Sequence, residues 1–122
     1  MAADSSHEHG NILVVEDDLQ ALDALTDVLE SSGYTVSRAH NGREALDVLN
    51  TNATTCLILL DLSMPVMDGW EFLRHQRSQP VLAPIPVIVI TALISAVPAG
   101  TVGLLTKPIN VNRLLSLVQK YC

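Results

Sequence analysis

The stretch LILLDLSMPVMDGWEFL, residues 57–73, decides the reading of this chain. Four apolar residues, Leu57 to Leu60, run straight into Asp61. A short apolar run bounded by turn residues is the pattern of a buried strand. Asp68-Gly-Trp-Glu71 has the form of a helix-capping box, and Phe72 and Leu73 begin a new amphipathic segment. The unit is therefore strand, loop, helix, with a carboxylate held out at the strand's carboxyl end.

The same alternation extends in both directions. Upstream, Asn11–Val15 reads as a buried strand. Leu19–Ser32 carries Leu19, Leu22, Leu25, Val28 and Leu29 on one helical face and stops near Gly33. Tyr34–Ala39 is a weaker strand, and Asn41-Gly-Arg-Glu44 is another capping box before Ala45, Leu46, Val48 and Leu49. Downstream, Pro86–Ile90 and Gly103–Thr106 are strands, and Val111, Leu114, Leu115, Val118 and Tyr121 mark a last helix. Strands alternating with helices predict a mostly parallel α/β sheet in one domain. Its three most apolar strands have the composition of strands covered on both faces.

Composition narrows the function. A net charge of -6 with 7 Lys+Arg argues against a nucleic-acid surface. Hydrophobic residues make up 48% and aromatics 3%, so the core is aliphatic. No run reaches the ~18 apolar residues of a membrane span. Residues 1–10, MAADSSHEHG, have neither the basic start nor the apolar stretch of a secretory signal and are expected to be a flexible lead. Cys56 and Cys122 make no disulfide framework, and Cys56 reads as a buried small hydrophobe. A cytoplasmic location follows from these features.

Ligands of such sheets bind beyond the carboxyl ends of the strands. Glu16-Asp17-Asp18, Asp61, Thr91 and Lys107 all fall at that edge. Each has an ordinary reading: an acidic run after a strand caps a helix, and a lone Asp, Thr or Lys is commonly a turn, strand-end or solvated residue. Their occurrence together is what carries weight. Two carboxylates ~4 Å apart repel by about 4 kcal/mol at an effective dielectric near 20. A divalent cation relieves that repulsion, and hard oxygen donors without Cys or His favour Mg2+. One carboxylate can then serve as a nucleophile toward phosphorus. His7, His9, His40, His75 and Trp70 have no part in this pattern: the first two read as tail, the other histidines as surface, and Trp70 as partly buried.

With these motifs in place, ILVVEDD (12–18), LLDLSMPVMDGWEF (59–72), VIVITA (87–92) and LLTKPI (104–109) resemble the receiver domain of two-component response regulators. The resemblance covers about residues 11–121. It implies a flavodoxin-like, doubly wound, five-stranded parallel sheet of order 2-1-3-4-5, with residues 11–122 as the domain. It implies Asp61 as phosphoacceptor from a sensor histidine kinase or phosphotransfer protein, in a Mg2+-dependent reaction. Glu16, Asp17, Asp61 and the backbone carbonyl of Ser63 would serve the metal, with Glu16 acting through water. Thr91 and Lys107 would bind the phosphoryl group, Ala92 would leave it accessible, and the Lys107–Pro108 bond would be cis. Gly69 would let the loop turn into the next helix. The output would be contacts with a downstream protein, with no enzymatic activity beyond the domain's own phosphorylation and dephosphorylation.

Two departures stand out. Only 15 residues separate Thr91 from Lys107, with Pro98 and Gly100 among them, so the helix usual between the last two strands is expected to be missing or about one turn long. Leu104 stands where many members carry an aromatic residue whose rotation couples to the threonine. The uncharged segment Ala92–Leu105 is expected to pack over the sheet edge, or else to form an apolar contact patch. A phosphorylation-independent interaction module on the same fold is the alternative reading. A phosphohydrolase of the haloacid dehalogenase type would need a second Asp where Ser63 stands. Whether the receiver stands alone or belongs to a larger hybrid kinase or regulator is left open.

Overall fold

A computed structural model of the chain describes residues 10–51, 54–64, 66–92 and 97–122. The elements in order are β1 (Asn11–Val15), α1 (Leu19–Ser31), β2 (Thr35–Ala39), α2 (Gly42–Thr51), β3 (Thr55–Asp61), α3 (Gly69–Ser78), β4 (Val87–Thr91), β5 (Gly103–Thr106) and α4 (Val111–Tyr121). All strands are parallel, in the order β2-β1-β3-β4-β5. This is the doubly wound α/β sheet that the sequence predicts. The expected lead lies outside the described residues except for Gly10.

The core divides by the two-residue period of the strands. Leu13, Val15, Ile58, Leu60, Val87 and Val89 face α2 and α3, where Ala45, Leu49, Phe72 and Leu73 meet them. Ile12, Val14, Leu57, Leu59, Ile88 and Ile90 face α1 and α4, against Leu22, Leu25, Leu29, Leu114 and Val118. The cluster facing α1 and α4 has Tyr34 as its buried aromatic, and the other has Phe72. Leu19 departs from expectation at 57% exposed. It opens α1, before the buried stripe starts. Thr26 joins that stripe instead, its hydroxyl donating to the Leu22 carbonyl at 2.7 Å.

The N-cap half of each expected capping box forms, without the reciprocal bond from the glutamate to the N-cap amide. Asp68 accepts from the Glu71 amide at 2.9 Å, and Asn41 accepts from the Glu44 amide at 2.9 Å. The Glu44 carboxylate reaches back to the His40 amide at 2.8 Å. That contact holds the Glu44 carboxyl below its ordinary range.

Between β4 and β5 none of the described residues, 92 and 97–102, is helical, while residues 93–96 lie outside the description. Pro98 is buried, whereas Val97 and Val102 are exposed. The guanidinium of Arg77, at the end of α3, donates to the Ala99 carbonyl. The described part of this connection is thus held against α3. Leu104 is half-buried and packs on the α2–α3 side of the sheet.

The expectation for the cysteines needs correction. Cys56 and Cys122 are joined as a disulfide, their Cα atoms 5.6 Å apart. Two cysteines 66 residues apart give no sequence signal of pairing. The fold supplies it: Cys56 lies near the amino end of central β3, and α4 returns across the sheet to end there at Cys122.

Candidate functional site

The carboxyl edge of the sheet gathers the expected groups into one cavity of about 260 Å³, lined by Glu16, Asp17, Asp18, Asp61, Ser63, Thr91, Ala92 and Lys107. Each arrives through its strand. Glu16 follows β1, Asp61 closes β3 and Thr91 closes β4. Lys107 follows β5, and its amide donates to the Thr91 carbonyl at 3.0 Å. The Lys107–Pro108 peptide is cis.

The three adjacent acids divide their work. Asp18 accepts from the Gln20 amide at 3.0 Å and caps α1. The ordinary reading is therefore right for this one residue. Glu16 is wholly buried. Its Oε2 accepts the Asp18 amide at 3.1 Å, and its Oε1 faces Lys107 Nζ at 2.8 Å. Asp17 is exposed. One carboxylate oxygen each from Glu16, Asp17 and Asp61 lie within 4.8 Å of one another.

Asp61 is nearly buried, at 4% exposed. Its Oδ1 accepts from the Ser63 amide at 3.1 Å, while Oδ2 faces Lys107 Nζ at 3.5 Å. Ser63 thus touches the site through its backbone, with its side chain exposed. Lys107 reaches both acids, and the shorter contact is with Glu16. No sequence signal announces that pair, because it crosses the sheet from the end of β5 to the end of β1.

Burial dominates the Glu16 carboxyl and raises it to about 6, against the opposing pull of Lys107. Burial also works to lower the Lys107 ammonium, but Glu16 and Asp61 outweigh it and the net shift is upward. The cavity therefore holds a reluctant acid beside a firmly charged cation.

The residues fit a hard divalent cation. The donors are oxygens, and one carboxylate oxygen each from Glu16, Asp17 and Asp61 converge within 4.8 Å, more negative charge than the single Lys107 ammonium balances.

Gly69 holds the loop after Asp61 for a different reason from the one expected. A Cβ there would sit 2.8 Å from both the Asp61 carbonyl oxygen and Leu62 Cα. The glycine serves close approach of α3 to the site strand. Val66, in the same loop, has a φ of 67°, which is strained for a β-branched residue.

The polar-differentiation response regulator DivK of Brucella anthropi is 31% identical over 117 residues, covering 91% of this chain and 94% of that protein. A probable transcriptional regulator, ycf29 of Porphyra purpurea, is 36% identical, and the chain spans 54% of its length. The receiver domain of the Pseudomonas aeruginosa PAO1 sensor histidine kinase PA1611, solved with a magnesium ion coordinated in its active site cleft, superposes with a TM-score of 0.84 at 28% identity. That likeness covers 92% of this chain and 96% of that one. Residues 12–119 match the response regulator receiver domain, and the chain belongs to that family.

Proposed function

We propose that this receiver accepts a phosphoryl group on Asp61 from a phosphohistidine and signals through protein contacts, with residues 11–122 as the domain and residues 1–10 as its lead. The observation that carries this reading is the convergence of Glu16, Asp17, Asp61 and Lys107 in one cavity at the sheet edge. A carboxylate oxygen of Asp61 bonds to phosphorus as the P–N bond to the donor imidazole breaks, and the leaving imidazole takes up a proton. The Ser63 amide orients the Asp61 carboxylate. Lys107 faces both Asp61 and Glu16, which supports a role for its ammonium in binding a phosphoryl oxygen. The Thr91 hydroxyl takes another. Glu16, Asp17, Asp61 and the Ser63 carbonyl would hold Mg2+, Glu16 through water. Bound there, the ion would supply charge neutralisation at the phosphoryl group.

The donor is a sensor histidine kinase or phosphotransfer protein. An apolar groove of about 240 Å³ between α1 and α4, lined by Ala21, Ala24, Leu25, Val28, Ile109 and Leu114, shares Lys107 with the site. An amphipathic helix of that partner resting in the groove would present its histidine to Asp61. Among the described residues no helix is long and apolar enough to cross a membrane. A cytoplasmic signalling module fits this reading.

The test is intact mass after incubation with a small phosphodonor and Mg2+. One added phosphoryl group is expected, absent in Asp61→Asn and in chelator. No addition under any condition would overturn the reading in favour of a phosphorylation-independent module.

A further inference from the structure

We propose that Cys56 and Cys122 form a reversible thiol–disulfide site that sets how firmly α4 is held, with a small-molecule disulfide as oxidant and a small thiol as reductant. The Cα separation of 5.6 Å lies in the range that a disulfide spans without backbone movement. Both residues are half-buried, so exchange partners can reach the sulfurs. The reduced state is also provided for, because Cys56 Sγ lies 3.2 Å from the Asn11 carbonyl, an acceptor for a thiol. Among the described residues, no third ligand joins the pair in a metal-binding group.

The position gives the bond its consequence. Cys122 caps α4, its amide donating to the Val118 carbonyl at 2.9 Å. Only Leu114 and Val118 of α4 are fully buried. At its other end α4 follows the Lys107 ion pairs. Leu115, Leu117 and Tyr121 add half-buried contacts, and the disulfide fastens the far end of this amphipathic helix to central β3.

The chemistry balances by exchange. One cysteine thiolate attacks the small disulfide, whose S–S bond breaks to give a mixed disulfide and one small thiol. The second cysteine attacks that mixed disulfide and releases a second small thiol. Two electrons and two protons pass in total from the protein thiols to the oxidant, and excess small thiol reverses both steps.

The test cycles the whole chain between oxidised and reduced glutathione, with alkylation, intact mass and amide hydrogen exchange. Two alkyl groups are expected after reduction and none after oxidation, through several cycles. Amides of residues 111–121 are expected to exchange about tenfold faster when reduced, and Tm to fall by roughly 10 °C. Cys122→Ser should behave as the reduced protein in both buffers. The proposal is overturned by thiols that stay alkylatable in excess oxidised glutathione. Cross-links between chains, or reduction that leaves the α4 amides unchanged, would overturn it equally.

Discussion

Gly69 decides how closely α3 can approach the strand that carries Asp61. Alanine is the better helix former by about 1 kcal/mol, so propensity alone favours Gly69→Ala at the start of α3. The structure opposes it, since the new methyl would meet backbone atoms of Asp61 and Leu62 at 2.8 Å. Overpacking against backbone outweighs propensity, and Gly69→Ala should destabilise the fold by about 1 to 3 kcal/mol. Urea denaturation would show it, and an unchanged or higher midpoint would deny the close approach. At this scale the sequence speaks for the chemistry and is silent on the space. Glu16, Asp17, Asp61, Thr91 and Lys107 can all be found from their strand-end positions. The crowding at Gly69 and the Lys107–Glu16 contact cannot, because both depend on neighbours that only the folded sheet supplies.

Among the elements, α1 and α4 flank the apolar groove proposed above as the docking site. Ala24 is exposed on the rim of their groove, so a larger side chain there leaves the core intact. Ala24→Arg should slow phosphotransfer from a phosphohistidine protein about tenfold, equivalent to roughly 1.4 kcal/mol of lost docking. Uptake from a small phosphodonor should be unaffected. Equal losses with both donors would place the damage in the site and remove the groove from the account. Element order, strand number and the lack of a helix in residues 97–102 all follow from apolar periodicity and from Pro98 and Gly100. Pairing of the α4 terminus with β3 does not, because apolar patterning is blind to which strand a helix end will reach.

For the molecule as a whole, the buried Glu16 carboxyl works against stability. The Glu16 carboxyl is raised from 4.5 to about 6, chiefly by burial. Between those values the folded chain binds more protons than the unfolded chain, so stability falls as pH rises through the window. The loss is about 2 kcal/mol and is complete above pH 6 or so. Lys107 has the opposite balance, its raised ammonium adding stability at neutral pH that is lost only in strong alkali. Thermal unfolding in chelator, compared with Glu16→Gln, isolates the first effect: the variant should gain on the parent from pH 4.5 to 6 and hold its lead above. Parallel curves would remove Glu16 as the cause. The crossover from β4 to β5 has a different meaning at this scale. Its exposed turn at Ala99 and Gly100 is bound to the body through Arg77. Because the entropy of closing a loop grows only with the logarithm of its length, doubling this connection would cost about 0.6 kcal/mol. The turn is therefore a natural graft point, where a designer could install a new helix and give the molecule an additional docking surface.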